Sequence, residues 1–176
     1  MENRRIETRR LVLKPITQED APAVFAWASD PEVNRYMPYP LHKSIEQTRA
    51  WIASLTPEML EFGFYRKENG QLIGTGGVGK NEEGAHTLGY NLRRDAWGHG
   101  YATEAAQAML AWAYHSLGVR DFALGHAVLN TASGNVARKC GFQLTHYGQY
   151  SRFDGSETFD AAFYELHLKG DEAYVY

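Results

Sequence analysis

The segment Trp97-Gly98-His99-Gly100-Tyr101-Ala102 places two glycines directly ahead of a long stretch of helical apolar periodicity. A strand ending near Leu92, a glycine turn and a helix opening at once leave backbone N–H groups exposed at the helix N-terminus. The missing side chains let the backbone approach a pyrophosphate closely, and the helix dipole adds about half a positive charge at that end. The chemistry on offer is anion binding without lysines, although the spacing alone equally describes a tight strand-to-helix turn. A second glycine run, Gly74-Thr75-Gly76-Gly77-Val78-Gly79, satisfies the G-x-G-x-x-G pattern of dinucleotide sites. That motif has to open a helix, whereas Lys80-Asn81-Glu82-Glu83-Gly84 and then a strand pattern come after it here. It reads as a glycine-rich strand end, where absent side chains permit a bulge or close packing. Neither the Gly-Lys-Ser/Thr of a P-loop nor a G-x-S-x-G elbow occurs, so NTPase, kinase and serine-hydrolase readings fail.

The elements that must position the loop can be read from periodicity. Arg10 to Ile16 alternates as a strand, and Thr17 with Asp20 has the form of a capping box opening a helix. Ala21, Val24, Phe25 and Ala28 fall on one helical face before Asp30-Pro31. Ser44 with Gln47 repeats the box, ahead of a stripe of Ile45, Trp51, Ile52 and Leu55. Phe62 to Lys67 and Gln71 to Val78 flank Asn69-Gly70, a two-residue hairpin signal, and His86 to Leu92 reads as the next strand. Ala102, Ala105, Ala106, Met109, Leu110, Ala113 and Leu117 make the long helix, with Gly118 as its C-cap. A strand over Phe122 to Val128, a short helix over Ala132 to Lys139 and a hairpin with Asp154-Gly155 at its tip complete the chain. The expectation is an α+β fold over 1–176 as one domain, with helices on both faces of a mixed, mostly antiparallel sheet.

Composition narrows the partners. A chain of 176 residues with net charge −3 has no broad basic field, which argues against nucleic acid. Cys140 is the only cysteine, no Cys/His spacing suggests a metal site, and no apolar run approaches a membrane span. A cytoplasmic location is the default expectation, and the aromatic content makes a homodimer plausible.

Trp97 through Ala105 closely resembles the acetyl-CoA loop of the GNAT N-acetyltransferases, specifically the ribosomal-protein N-terminal acetyltransferase branch. Thr8 to Pro15 is similar to the opening strand of that branch, Ser29 to Val33 to the end of its first helix, and Asn130 to Phe142 to its second cofactor segment. The resemblance implies a GNAT fold with a splay between central strands and acetyl-CoA as co-substrate. It implies that Leu92, Arg93 and Arg94 present backbone groups to the pantetheine arm and that Trp97, Gly98, His99, Gly100, Tyr101, Ala102 and Thr103 surround the pyrophosphate. Asn130, Ser133, Asn135 and Lys139 lie in the second cofactor segment. Asn130 would contact pantetheine or orient the acceptor, or else simply cap a helix. Ser133 would donate a proton to the departing thiolate, with capping as the equal alternative.

The general base departs from the pattern. The family's tyrosine position is Ala137, the hairpin glutamate aligns with Arg152, and the glutamate before Leu88-Gly89-Tyr90 is Thr87. Freeing a lysine of its proton at pH 7 costs roughly 4 to 5 kcal/mol, against about 1 for an α-amine. The missing carboxylate therefore favours an N-terminal α-amine, its proton leaving through water by way of His86, His126 or backbone carbonyls. His126, in an apolar alternation, reads first as a core histidine, and Glu104 as a dipole or packing residue. Tyr36-Met37-Pro38-Tyr39-Pro40 forms a stiff aromatic loop that either walls the acceptor slot or covers the core. Small-molecule and antibiotic amines stay open as acceptors, and so does a domain that senses acetyl-CoA without consuming it.

Overall fold

In the structure, a computed structural model describing residues 4–169, the chain opens with β1 (Ile6–Glu7) and β2 (Leu11–Lys14), paired antiparallel. The strand expected from Arg10 is therefore preceded by a short partner. The Thr17–Asp20 box forms, but around a single 3-10 turn that feeds α1 (Ala21–Ala28). Ser44 accepts from the Gln47 N–H at the start of α2 (Ile45–Ser54).

β3 (Glu61–Arg66) and β4 (Leu72–Gly77) form the central hairpin. Its tip is longer than the Asn69-Gly70 signal suggested. The Asn69 carboxamide accepts the Gln71 N–H at 2.9 Å, and the ladder closes at Arg66–Gln71 around four residues. The glycine run is a strand, as expected: a Cβ at Gly74 would lie 2.4 Å from the Asn91 carbonyl and one at Gly76 2.5 Å from the Gly89 carbonyl.

The stretch read as one strand from His86 to Leu92 changes partners midway. β5 (His86–Thr87) runs parallel to β7 (Asp121–Ala127), while β6 (Gly89–Leu92) pairs antiparallel with β4. The Leu88 N–H donates to the Ala123 carbonyl at 2.9 Å, and beyond it the two strands part. This is the splay, and it divides the strands into a five-stranded sheet, β1-β2-β3-β4-β6, and a four-stranded sheet in which β5, β7, β9 (Thr158–His167) and β8 (Gln143–Ser151) are neighbours in that order. Every pairing except β5 with β7 is antiparallel.

α3 (Tyr101–Leu117) comes after β6, and α4 (Thr131–Lys139) after β7. Gly118 caps α3 at φ 69°, its N–H bonded to the Tyr114 carbonyl. Ala105, Ala106, Met109, Leu110 and Ala113 are buried against Phe62 and Phe64 of β3, forming the main core. On the opposite face of the five-stranded sheet, Tyr65 and Leu72 pack with Val24, Trp27 and Ile52 of α1 and α2. The β3 side chains thus alternate between two layers, with Phe62 and Phe64 toward α3, and Glu61 and Tyr65 toward α1 and α2. No helix among the described residues is long and apolar enough to cross a membrane.

Candidate functional site

The loop before α3 has the geometry its glycines allow. Gly98 lies at φ 76° and Gly100 at φ 79°, both in the left-handed region that side chains resist. Gly100 occupies the N-cap without any side-chain cap, so the first-turn N–H groups of Tyr101, Ala102 and Thr103 point outward from the helix end. Open space surrounds Gly98, and a Cβ at Gly100 would meet only Arg10 Nη2, at 3.5 Å. The Trp97 indole donates to the Leu92 carbonyl at 2.9 Å, closing the loop on itself.

Arg10 and Glu104 fasten this loop to the first hairpin. Glu104 accepts from the Thr8 hydroxyl (2.6 Å), the Arg10 N–H (2.8 Å) and Arg10 Nε (2.7 Å), while Arg10 Nη1 donates to the His99 carbonyl at 2.9 Å. The Arg10 guanidinium also lies 4.4 Å from the centre of the Tyr101 ring. Burial raises the Glu104 carboxyl, but the bonds from Thr8 and Arg10 outweigh it and hold the group below its usual value. Every polar contact of Glu104 serves anchoring.

Alternation along β6 turns the backbone groups of Leu88, Tyr90 and Leu92 toward the splay and those of Gly89, Asn91 and Arg93 toward β4. The Arg93 N–H accordingly bonds to the Ile73 carbonyl at 2.9 Å and faces away from the splay, which corrects its expected role as a backbone donor there. The Leu92 carbonyl is taken by Trp97. The Arg93 side chain pairs with Asp95, and that of Arg94 with Asp30.

Across the splay, Asn130 is the N-cap of α4, its carboxamide oxygen accepting the Ser133 N–H at 3.3 Å. Ser133 Oγ lies 2.7 Å from the Tyr90 hydroxyl, so one hydrogen bond spans the gap between the two sheets. Burial pushes the Tyr90 phenol well above its ordinary value, against the opposing effect of the Ser133 bond, and keeps it protonated. Asn135 bonds within its own helix to Arg138, and the Lys139 carbonyl accepts from Gln107 of α3.

The opposite side of β6 carries a second polar group of residues. Asn91 Nδ2 donates to Asn34 Oδ1 and to the Tyr39 hydroxyl, each at 3.2 Å. Glu61 on β3 is half-buried there, hydrogen-bonded by Thr75, and burial pushes its carboxyl up to about 7. The Tyr39 phenol is pushed up to about 12, first by burial, and its negative neighbour Glu61 adds to the shift.

Tyr36 to Pro40 does border this cluster, and the tip of the β8–β9 hairpin holds it. Tyr150 donates to the Tyr36 carbonyl (2.5 Å), Arg152 Nη1 to the Met37 carbonyl (2.9 Å), Arg152 Nη2 to the Arg35 carbonyl (2.9 Å), and the Phe153 N–H to the Pro38 carbonyl (2.8 Å). Arg152 Nε also pairs with Glu157. At the other two unusual positions, Ala137 is fully buried and Thr87 bonds to the Gly79 carbonyl.

The two histidines suggested as proton carriers are engaged structurally. His126 is buried, stacked on Tyr164, with Nδ1 at 2.7 Å from the Ala127 carbonyl. His86 Nδ1 lies 2.9 Å from the Val78 carbonyl. Glu61, Tyr90 and Asn91 were not among the residues singled out from sequence. The one available signal was Glu61 itself, an acidic residue at the head of an otherwise buried strand, whose start the apolar pattern places one residue later.

Known proteins share this architecture. Residues 10–143 match the model of the acetyltransferase (GNAT) domain. An uncharacterized N-acetyltransferase of Bacillus subtilis, YoaA, is 30% identical over 169 residues, covering 92% of this chain and 95% of its own. A GNAT-family acetyltransferase from Bacillus anthracis superposes with a TM-score of 0.84 at 24% identity, over 93% of this chain and 98% of that one. RimL, a ribosomal alpha-N-protein acetyltransferase crystallised in complex with coenzyme A, superposes with a TM-score of 0.79 at 19% identity, over 95% and 99%.

Proposed function

Because this chain belongs to the GNAT acetyltransferase family and is an acetyl-CoA-dependent N-acetyltransferase, we propose that its acceptor is the α-amine of a peptide or protein N-terminus, acetylated by direct attack in a ternary complex. The observation that carries this reading is the state of the three usual base positions. Ala137 is sealed in the core, Thr87 is tied to strand backbone, and Arg152 is committed to holding the Tyr36–Pro40 loop. Without a strong base, the reaction suits an amine of low pKa, and an α-amine at about 7.7 to 8 needs only about 1 kcal/mol to shed its proton at pH 7. The likeness to RimL, an alpha-N-protein acetyltransferase, points the same way.

Gly98, Gly100 and the N–H groups of Tyr101, Ala102 and Thr103 would receive the pyrophosphate, with Trp97 and His99 beside it. The Tyr90 and Leu92 backbone facing the splay would meet the pantetheine arm, with Arg94 near its outer end and Asn130, Asn135 and Lys139 across the gap. A neutral amine attacks the thioester carbonyl carbon, the C–S bond breaks with its electron pair on sulfur, and the thiolate takes a proton from Ser133. The Tyr90 hydroxyl, 2.7 Å from Ser133 Oγ, replaces that proton in turn, and the proton that the nitrogen sheds as the amide forms passes through water to restore the Tyr90 hydroxyl.

The test offers acetyl-CoA with two matched peptides, one with a free α-amine and blocked lysines, the other N-terminally blocked with a free lysine. Thiol release and mass spectrometry report the product. A higher kcat/KM on the α-amine peptide is expected, and a higher value on the lysine peptide overturns the assignment.

A further inference from the structure

We propose that Glu61 is a catalytic residue of this transferase, receiving the proton of the acceptor amine at the vertex of the splay; this rests on the acetyl-transfer reading above. The geometry begins with one cross-strand row. Glu61 pairs with Gly77, and Gly77 with Gly89, on three adjacent strands. Residues in such a row point to the same face of the sheet, here the face of α1, α2 and the Tyr36–Pro40 loop. Gly89 is the first residue of β6 after Leu88 makes the last bond to β7, so the row ends where the sheets part.

The two glycines clear the way. The Glu61 carboxylate lies across Gly77, with Oε2 only 2.9 Å from where a Cβ of Gly77 would be, so any side chain there would displace it. Nothing stands within 4 Å of where a Cβ of Gly89 would be. With neighbouring strands about 4.8 Å apart, roughly one strand spacing of open floor remains between the carboxylate and the edge strand, enough for an amine nitrogen or a single water. Thr75, Asn91 and Tyr39 border that floor. The residue just before Glu61, Leu60, is the only non-glycine residue in the left-handed region among the described residues, at φ 53°. Such strain gathers where a side chain must be aimed.

The position also suits the stereochemistry of transfer. Tyr90 and Asn91 are consecutive on β6 and point to opposite faces. Tyr90 meets Ser133 on the side from which the thiolate departs, while Asn91, Tyr39 and Glu61 lie on the side open to the acceptor loop. Nucleophile and leaving group thus approach and leave on opposite faces of one strand. In the step proposed, an ammonium N–H bond breaks, its proton goes to Glu61, and the nitrogen lone pair forms the new C–N bond. The second nitrogen proton leaves as the C–S bond breaks, restoring the hydroxyl that protonated sulfur, and Glu61 releases its proton to solvent.

Among the described residues, the groups acting on Glu61 are Thr75 from β4 and the Tyr39 phenol from the loop, and no cation pairs with it. Its elevated pKa, about 7, leaves roughly half of it ionised at pH 7 and places it close enough to an α-amine to take its proton. The test measures Glu61→Gln and Glu61→Asp on the α-amine peptide with saturating acetyl-CoA, together with calorimetric binding of acetyl-CoA. Glu61→Gln, which keeps the bond to Thr75, is expected to lower kcat about 10²-fold with unchanged acetyl-CoA affinity, and Glu61→Asp to lose less. The wild-type rate is expected to rise with pH through about 7, and in Glu61→Gln that limb is expected to move up to the pKa of the amine. Wild-type kcat and an unmoved limb in Glu61→Gln overturn the role of Glu61 alone. A wild-type protein that binds acetyl-CoA but acetylates neither peptide overturns the reading on which it depends.

Discussion

The Tyr90–Ser133 hydrogen bond joins β6 to the start of α4 across the splay. A serine hydroxyl is a poor acid by itself, and in the step proposed the buried phenol held protonated behind it would give the proton a return path. Ser133→Ala is expected to lower kcat about 10²-fold while leaving the calorimetric affinity for acetyl-CoA unchanged. If the two hydroxyls act as a unit, Tyr90→Phe in that background should add far less than it costs alone. Asn130, whose carboxamide caps α4 through the Ser133 N–H, contributes by fixing where that serine stands.

At the scale of the element, the start of α3 is defined by a backbone that a side chain would distort. Gly100→Val puts a β-branched residue at φ 79°, a strain of about 1–2 kcal/mol. Its expected effect is an acetyl-CoA dissociation constant at least about 10-fold weaker, measured by calorimetry on folded protein. The Glu104 anchor holds the same turn against β1 and β2, and Glu104→Gln should cost about 1.5–3 kcal/mol of unfolding free energy at pH 7. The lowered carboxyl sets the sign of its pH dependence. A depressed folded-state pKa stabilises the protein above the ordinary value of 4.5, and that stabilisation is lost as pH falls through the lowered one. Denaturation of both proteins from pH 7 to pH 3 should show the gap between them closing only below about 4.5.

At the scale of the whole molecule, the distant β8–β9 hairpin reaches and holds the loop between α1 and α2, which borders the proposed acceptor side. Arg152 clamps two carbonyls of that loop and is held in turn by Glu157. Arg152→Ala is expected to raise the acceptor KM several-fold and to make the Arg35–Pro40 segment more sensitive to limited proteolysis. Acetyl-CoA affinity, assigned in the proposal to the turn before α3, should stay unchanged. Arg152, which the resemblance aligns with a family glutamate, is thus engaged here in holding that loop.

Local physics made much of this protein legible in its sequence. The α3 periodicity, Gly118 as its cap, the left-handed glycines before it and the hairpin around Asp154-Gly155 all depend on neighbours a few residues away. The sequence alone also distinguished the Gly74–Gly79 run from a dinucleotide loop, because a polar turn and a strand succeed it where a helix would have to start. Pairings between distant segments lay beyond its reach. That His86 to Leu92 changes sheets at Leu88 depends on β7 lying alongside only its first half. That Glu61 reaches across Gly77 toward Gly89 depends on the register of three strands, since a shift of one residue would turn the carboxylate into the core. The glycine turn before α3 was written in consecutive residues, whereas the placing of Glu61 beside Gly77 and Gly89 exists only where β3, β4 and β6 lie side by side.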